Sequence, residues 1–137
     1  MLKVTRLADY SVLILCCFQD RKLTAKNISA KTGLGIATVN KILSLLVKAK
    51  ILKPLRGANG GYCPSKSLKE VSIKDIIEAI EGPVALTKCV EISEKNCSLL
   101  DSCITKNVWN KVNSSVMATL NEIKINDITD QNRSFID

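Results

Sequence analysis

Three cysteines, Cys89, Cys97 and Cys103, are the side chains of this sequence best suited to chemistry, because they lie within fifteen residues of one another. Their spacing lacks the Cys-x2-Cys knuckle of structural zinc sites, and no histidine is present to complete a set of three cysteines and one histidine. Thiolates favour iron-sulfur clusters as well as zinc. The spacing therefore leaves a cluster, redox-active thiols, a zinc ion and no role at all as alternatives, and a cluster would need a further ligand from elsewhere.

The complete absence of histidine narrows the possible functions further. It excludes catalytic Ser/His and Cys/His pairs, and the sequence shows no acid/base pair, phosphate-binding loop or nucleophile motif. We therefore expect no enzymatic activity and no small-molecule substrate. Cys16 and Cys17 lie in an apolar helical segment, where packing is the simplest role for a thiol.

Charge is divided unevenly along the 137 residues. Residues 1–66 contain 12 Lys or Arg against 2 Asp, a net charge of +10, whereas residues 67–137 contain 8 against 11, a net charge of −3. Such segregation indicates two surfaces with different partners, and the basic half is expected to meet a polyanion. A solvated basic face without a partner is the alternative.

The composition favours one globular unit that does not enter a membrane. Apolar residues make up 46% of the chain, which is ample for a core, yet the apolar runs fall far short of the roughly 20 residues that span a bilayer. The first twenty residues lack a small-residue cleavage site and do not resemble a secretory signal. We expect a cytoplasmic protein.

Three helices are predicted in the basic half, over about residues 5–19, 25–31 and 35–50. Thr24 can cap the second helix, and Gly33 can supply the left-handed residue that ends it. In the third helix the apolar positions fall on one side, which is expected to face the core: Ile36, Val39, Ile42, Leu43, Leu46 and Val47. The opposite side is small, polar and cationic, and it could enter a major groove or simply be solvated: Ala37, Lys41, Ser44 and Lys48, with Thr38 at the edge.

A β-hairpin is predicted to follow this helix-turn-helix. Residues 51–55 form the first strand, 56–61 the turn, and Tyr62 begins the returning strand. Arg56 stands at the shoulder of the turn, where it could contact a phosphate backbone or a minor groove, or serve only as a solubilising residue. The hairpin completes the pattern of a winged helix.

The second half is predicted to contain two further helices. Ser72 and Asp75 form a capping box for a helix that ends at Gly82-Pro83. A longer helix over about residues 104–125 carries an apolar stripe of Ile104, Val108, Val112, Val116, Leu120 and Ile123. Burial against the same helix of a second copy is the simplest use of this stripe, although it could fold back on its own domain. A homodimer would recognise a roughly palindromic site.

The predicted fold class is mainly α with a small β-hairpin wing. Residues 1–66 are expected to form a winged helix-turn-helix DNA-binding region. Residues 67–137 are expected to contribute a linker helix, the cysteine loop and a long C-terminal dimerisation helix, within one compact unit.

The chain resembles the iron-sulfur-responsive winged-helix regulators, which include Isc-type, Suf-type and nitric-oxide-sensing repressors. The resemblance covers residues 1 to about 125. It rests on the three cysteines and on the segments 7–10 (LADY), 32–39 (TGLGIATV), 55–57 (LRG), 60–62 (GGY), 75–80 (DIIEAI) and 81–84 (EGPV). Residues 81–89 (EGPVALTKC) most resemble regulators of the Suf cluster-assembly system.

This resemblance implies a homodimer that binds double-stranded operator DNA through Ala37, Thr38 and Lys41, with Arg56 in the wing. It also implies an iron-sulfur cluster, 2Fe-2S or 4Fe-4S, on Cys89, Cys97 and Cys103. The chain would then be a repressor of iron-sulfur assembly genes that senses cluster status. A nitric-oxide or thiol sensor on the same scaffold is the alternative.

The sequence departs from the family pattern in two respects, the first of which concerns the fourth ligand. Isc-type members carry a histidine shortly after the third cysteine, whereas Lys106 and Asn107 follow Cys103 here. In nitric-oxide-sensing relatives an aspartate of the other subunit's first helix fills the fourth position, and Asp9 stands at the matching place. An ordinary helix-start acid beside Lys3 or Arg6 is the alternative role for Asp9. Cys63, the second departure, stands where relatives have no thiol, and we expect it to be incidental.

Overall fold

The structure, a computed structural model, describes residues 2–87, 90, 98 and 102–132. Its described part is mainly α with one two-stranded antiparallel sheet, as the sequence predicts. The elements in chain order are α1 (Arg6–Phe18), α2 (Ala25–Thr32), α3 (Ile36–Lys48), β1 (Leu52–Leu55), β2 (Gly61–Pro64), α4 (Ile73–Glu81), α5 (Lys106–Glu122) and α6 (Ile125–Gln131).

Local capping signals set the start of α1 and both ends of α2. The Thr5 hydroxyl caps α1 by accepting a hydrogen bond from the Ala8 N–H at 3.2 Å. Thr24 and Asn27 form a reciprocal capping box at the start of α2. Gly33 ends α2 with a φ of +77° and donates its N–H to the Ser29 carbonyl. The predicted roles of Thr24 and Gly33 are confirmed.

The core lies where α1, α2, α3, α4 and α6 meet. It consists mainly of fully buried aliphatic side chains around Phe18, and its largest members are Ile14, Leu15, Phe18, Ile28, Ile42, Leu43, Leu46, Leu52, Leu68, Ile76 and Ile125. α3 contributes Val39, Ile42, Leu43 and Leu46 from one side. Ile36 departs from the predicted core face, because it begins α3 beyond the packed helices and is 45% exposed.

The hairpin is joined to the chain segment that precedes α2. In the β1–β2 pair, Leu55 lies opposite Gly61. Tyr62 also exchanges two backbone hydrogen bonds with Leu23, at 2.8 and 3.0 Å. Gly61 permits this approach, because its φ is +151° and a Cβ there would lie 2.8 Å from the Leu23 carbonyl oxygen.

A reciprocal capping box begins α4, as predicted. The Ser72 hydroxyl accepts from the Asp75 N–H, and the Asp75 carboxylate accepts from the Ser72 N–H, both at 3.0 Å. Burial alone would raise the pKa of Asp75, but the Ser72 hydrogen bonds and the charges of Lys66 and Lys74 lower it overall.

The predicted single helix over residues 104–125 is wrong at both ends. Ile104 precedes α5 and is 93% exposed, and Ile123 has extended backbone where α5 ends. Residues 123–125 pair with 71–73 instead: the Ile73 N–H bonds to the Ile123 carbonyl, and the Ile125 N–H bonds to the Val71 carbonyl. A separate helix, α6, then starts at Ile125, whose side chain is fully buried in the core.

Within the described part of the chain, no helix has the length and apolar character needed to cross a membrane.

Candidate nucleic-acid interface and metal ligands

The outward face of α3 presents the predicted polar and cationic side chains together. Ala37, Lys41, Ser44 and Lys48 are exposed, and Thr38 is half-buried at the edge. The Ser44 hydroxyl donates to the Asn40 carbonyl at 3.0 Å, which leaves its oxygen lone pairs turned to solvent or a ligand. The face can offer two cations and small groups to the edges of base pairs.

Ile36 extends this face at its N-terminal end, which sequence reasoning missed. Helical periodicity places Ile36 with the core residues, but the helices that bury Val39 and Ile42 do not reach the first turn of α3. No side chain caps α3 at Gly35. An exposed isoleucine beside Ala37 gives this end of the helix an apolar contact surface.

The wing, which consists of β1, β2 and the loop between them, lies in the basic N-terminal half of the chain and carries Arg56. The Arg56 side chain is exposed in the loop between β1 and β2. Lys22 Nζ donates to the Asn59 carbonyl oxygen of this loop, so the segment before α2 supports the wing through a side chain as well as through Leu23.

Among the described residues, the lysines and arginines of residues 1–66 form no ion pairs with acidic side chains. The single ion pair among the described residues joins Lys74 to Glu78 within α4, at 3.3 Å. The basic side chains of the winged helix-turn-helix are therefore available to phosphates. All twelve are exposed: Lys3, Arg6, Arg21, Lys22, Lys26, Lys31, Lys41, Lys48, Lys50, Lys53, Arg56 and Lys66.

Two of the three predicted cluster cysteines, Cys89 and Cys97, lie outside the described residues. Cys103 is half-buried just before α5, with its Sγ 3.2 Å from the Thr105 hydroxyl oxygen. Hydrogen bonds from the Thr105 side chain and backbone lower the pKa of Cys103. A lowered thiol pKa suits the chemistry of an iron or zinc ligand, because the metal binds the thiolate.

The other cysteines occupy different surroundings. Burial raises the pKa of Cys16 to about 11, and burial also raises that of Cys17 although the charge of Lys31 opposes it. Both lie on α1, and Cys63 lies half-buried in β2. A protonated, buried thiol is a poor metal ligand, so Cys16 and Cys17 have the character of packing residues.

Asp9 is exposed in the first turn of α1. Among the described residues its carboxylate forms no ion pair with Lys3 or Arg6, but its place in the first turn also suits an ordinary helix-start acid. Asp9 borders a groove between α1, α4 and α5 that includes Val12, Ile77 and Leu120. A free carboxylate is chemically suited to ligate a metal. In the parts of the chain that the structure describes, however, no three potential ligands come together.

One side of α5 packs against α4, and another side is exposed to solvent. Val116 and Leu120 line grooves shared with Val4 and Ile77. Val108 is 56% exposed, and Trp109 and Val112 are also exposed. The predicted apolar stripe is thus divided, since its C-terminal half packs on the same chain and its N-terminal half faces outward.

A family model and several known proteins match this chain. The family model described as "Rrf2: Iron-dependent Transcriptional regulator" matches residues 3–131. The HTH-type transcriptional regulator IscR of Pectobacterium carotovorum is 25% identical over 119 residues, which are 87% of this chain and 71% of IscR. Protein aau3 of Rhizobium meliloti is 27% identical over 130 residues, 93% of this chain and 84% of that protein.

Solved structures share the fold. CymR of B. subtilis, described as its global cysteine regulator, gives a TM-score of 0.72 at 22% identity over 96% of this chain and 99% of CymR. T. potens IscR gives a TM-score of 0.68 at 26% identity over 95% of this chain and 88% of IscR. These similarities confirm the winged-helix architecture.

Proposed function

The chain belongs to the Rrf2 family of transcriptional regulators, and from this premise we propose that it is a homodimeric repressor that senses an iron-sulfur cluster. Cys89, Cys97 and Cys103 would hold the cluster. Its targets would be iron-sulfur assembly genes, of the Suf type to which residues 81–89 are similar. The observation that carries the DNA-binding part is the unpaired cationic face of α3 beside the wing.

Docking on DNA follows from the placement of these two elements. α3 enters the major groove with its N-terminal residues toward the base edges, because Ile36, Ala37 and Lys41 lie on its outward side. Lys48, the last residue of α3, meets the phosphate backbone. Arg56 reaches a phosphate or the adjacent minor groove from the wing.

Dimerisation is supported by the apolar surface that one chain leaves open. Val108, Trp109 and Val112 face outward from α5, and exposed Leu2 and Val4 border the groove beside this helix. Three large apolar side chains exposed within five residues of one helix are typical of an interface. An isologous pairing of two α5 helices would cover it and would place two α3 helices to recognise a palindromic operator.

The donor set suits an iron-sulfur cluster. Three thiolates provide the usual ligands, and Asp9 of the second subunit is the proposed fourth, because its carboxylate is exposed and unpaired among the described residues. The bound cluster would supply a group that reacts with oxygen or nitric oxide. The protein's own contribution is the asymmetry of its ligands, since an oxygen donor binds iron differently from a thiolate.

Cluster status can change transcription only if the loaded and empty proteins bind DNA differently. The link available in this fold is α1, because it carries Asp9 near its start and leads at its end into the segment that holds the wing. A change in the position of α1 would therefore reach the wing as well as the core, in which Ile14 and Phe18 of α1 are buried.

A thiol sensor on the same scaffold is the second candidate function. It is supported by Cys103, which is partly exposed just before α5 and whose pKa is lowered by hydrogen bonds from Thr105. This candidate needs no metal, and its protein would be colourless.

Anaerobic purification tests the proposal and separates the two candidates. The wild type is expected to be brown, with visible absorbance and matching amounts of iron and sulfide. Cys97→Ser should lose the chromophore, whereas the matched Cys63→Ser variant should keep it. A colourless wild type that takes up no iron and sulfide on reconstitution would refute cluster binding and leave the thiol sensor.

Asp9→Ala tests the fourth ligand in the same preparation. The cluster should form but decay faster in air, while the dimer and its helical content remain unchanged. Glu70→Ala, which removes another exposed carboxylate, is the control and should leave the decay rate unaltered. Equal cluster lifetimes in wild type and Asp9→Ala would remove Asp9 as a ligand.

A further inference from the structure

We propose that Lys22 is a positioning residue for the wing: its ammonium group holds the loop between β1 and β2 in the conformation in which Arg56 meets DNA. The proposal rests on the proposed DNA-binding function. It assigns a role to a lysine that lies outside both α3 and the wing.

Two adjacent contacts hold the wing, one from a side chain and one from the backbone. We call the side-chain contact, between Lys22 and Asn59, the latch. Lys22 Nζ donates to the carbonyl oxygen of Asn59, thirty-seven residues along the chain. The next residue, Leu23, exchanges two backbone hydrogen bonds with Tyr62, at 3.0 and 2.8 Å. The same short segment therefore holds the wing at its loop and at its returning strand.

The wing loop has little else to hold it. Its own backbone contributes one hydrogen bond, from the Gly60 N–H to the Gly57 carbonyl at 3.0 Å. Among the described residues, Asn59 makes no other polar contact. Gly57, Gly60 and Gly61 raise the conformational entropy of the free loop, so that ordering it costs more than for other sequences.

A charge-assisted hydrogen bond from Lys22 offsets part of this cost before DNA arrives. Binding is tighter when a loop is already held in its bound conformation, because less order is lost in forming the complex. Lys22 therefore acts through Arg56, and its removal matters only while Arg56 is present. A lysine that contacted a phosphate itself would contribute independently of Arg56.

A double-mutant cycle on the full-length protein distinguishes these roles. Lys22→Gln is expected to weaken operator binding by about three- to tenfold in the wild type but less than about twofold in an Arg56→Ala background. Lys22→Arg, which keeps a cationic donor, should restore most of the affinity. The charge-matched control Lys26→Gln, on the exposed side of α2, should have the same effect in both backgrounds.

Limited proteolysis tests the latch without DNA. To cut after the exposed Arg56, trypsin must bend the loop into its own active site, so a loosely held loop is cut faster. Lys22→Gln should therefore speed the appearance of the fragment that ends at Arg56 by several-fold. The melting temperature of Lys22→Gln and the cleavage rate of the Lys26→Gln control should stay close to wild type. Unchanged cleavage in Lys22→Gln would overturn the latch. If Lys22→Gln is cut faster but its effect on DNA affinity simply adds to that of Arg56→Ala, Lys22 does not act through Arg56. A wild type that binds no operator, together with faster cleavage of Lys22→Gln, would refute the proposed function and leave the latch supported.

Discussion

Asn113 and Leu86 are joined by a hydrogen bond in which the backbone N–H of Leu86 donates to the side-chain oxygen of Asn113, at 3.0 Å. The Asn113 amide nitrogen donates in turn to the Val84 carbonyl at 3.1 Å. Asn113 is 4% exposed, so this pair of bonds satisfies a buried side chain and ties the segment that leads toward Cys89 to the middle of α5.

Asn113→Ala is expected to destabilise the protein by about 1–3 kcal/mol, because it leaves two backbone groups of residues 84–86 without their partner. Urea unfolding monitored by circular dichroism measures the loss. Asn110→Ala, three residues earlier on the exposed side of α5, is the matched control and should change stability by less than about 0.5 kcal/mol. Equal unfolding midpoints for the two variants would show that the Asn113 bonds contribute nothing.

Lys41→Ala and Arg56→Ala should each weaken operator binding by about 1–3 kcal/mol without lowering stability, because both side chains are exposed on the proposed DNA-facing surface. Fluorescence anisotropy at several salt concentrations separates their roles. Loss of a base contact by Lys41→Ala should relax sequence preference, whereas loss of a phosphate contact lowers the salt slope by about one. As a control, Lys69→Ala removes a lysine outside the winged helix-turn-helix and should have little effect on binding. Unaltered binding by both Lys41→Ala and Arg56→Ala would refute the docking arrangement.

Ile36 is expected to contact thymine methyl groups, because it is an exposed apolar side chain at the groove-entering end of α3. Replacing operator thymines by uracil should weaken binding by the wild type at one or more positions. The same replacement should have no effect at those positions on Ile36→Ala. If uracil-containing and thymine-containing operators bind the wild type equally well, Ile36 has no such role.

Cys16 should resist alkylation in the folded, cluster-free protein at pH 8, since burial raises its pKa to about 11 and keeps it as a thiol. Half-exposed Cys103 should react faster than Cys16, and Cys16 should react once denaturant is added, as followed by peptide mass spectrometry. Because the folded pKa is raised, the stability contributed by the neutral thiol is complete below pH 9.0 and is lost as the pH rises toward about 11. Alkylation of native Cys16 as fast as that of Cys103 would contradict its burial.

Local signals made much of the fold predictable. The capping residues Thr24 and Ser72 mark helix starts because their side chains bond to backbone N–H groups only three residues away. The outward position of Lys41 likewise follows from helical periodicity once Val39 and Ile42 are buried. These features depend on few residues that are close in sequence.

Features that depend on distant partners could not be predicted in this way. The periodic stripe continued to Ile123 in a helix predicted to end near residue 125, but pairing of residues 123–125 with 71–73 ends α5 and precedes α6. Ile36 has the spacing of a core residue and is exposed because no element covers it. The Lys22–Asn59 and Asn113–Leu86 contacts join residues 37 and 27 positions apart, a separation that composition and periodicity do not reveal.

Operator affinity of the same protein with and without its cluster is the most direct test of the account. Anaerobic titration of the selected operator should give dissociation constants for the loaded and empty wild type that differ by about fivefold or more, while Cys97→Ser should give one value regardless of iron and sulfide. Cys63→Ser should retain the wild-type difference. Equal affinities of the loaded and empty wild type would contradict cluster sensing, whatever the absolute strength of binding.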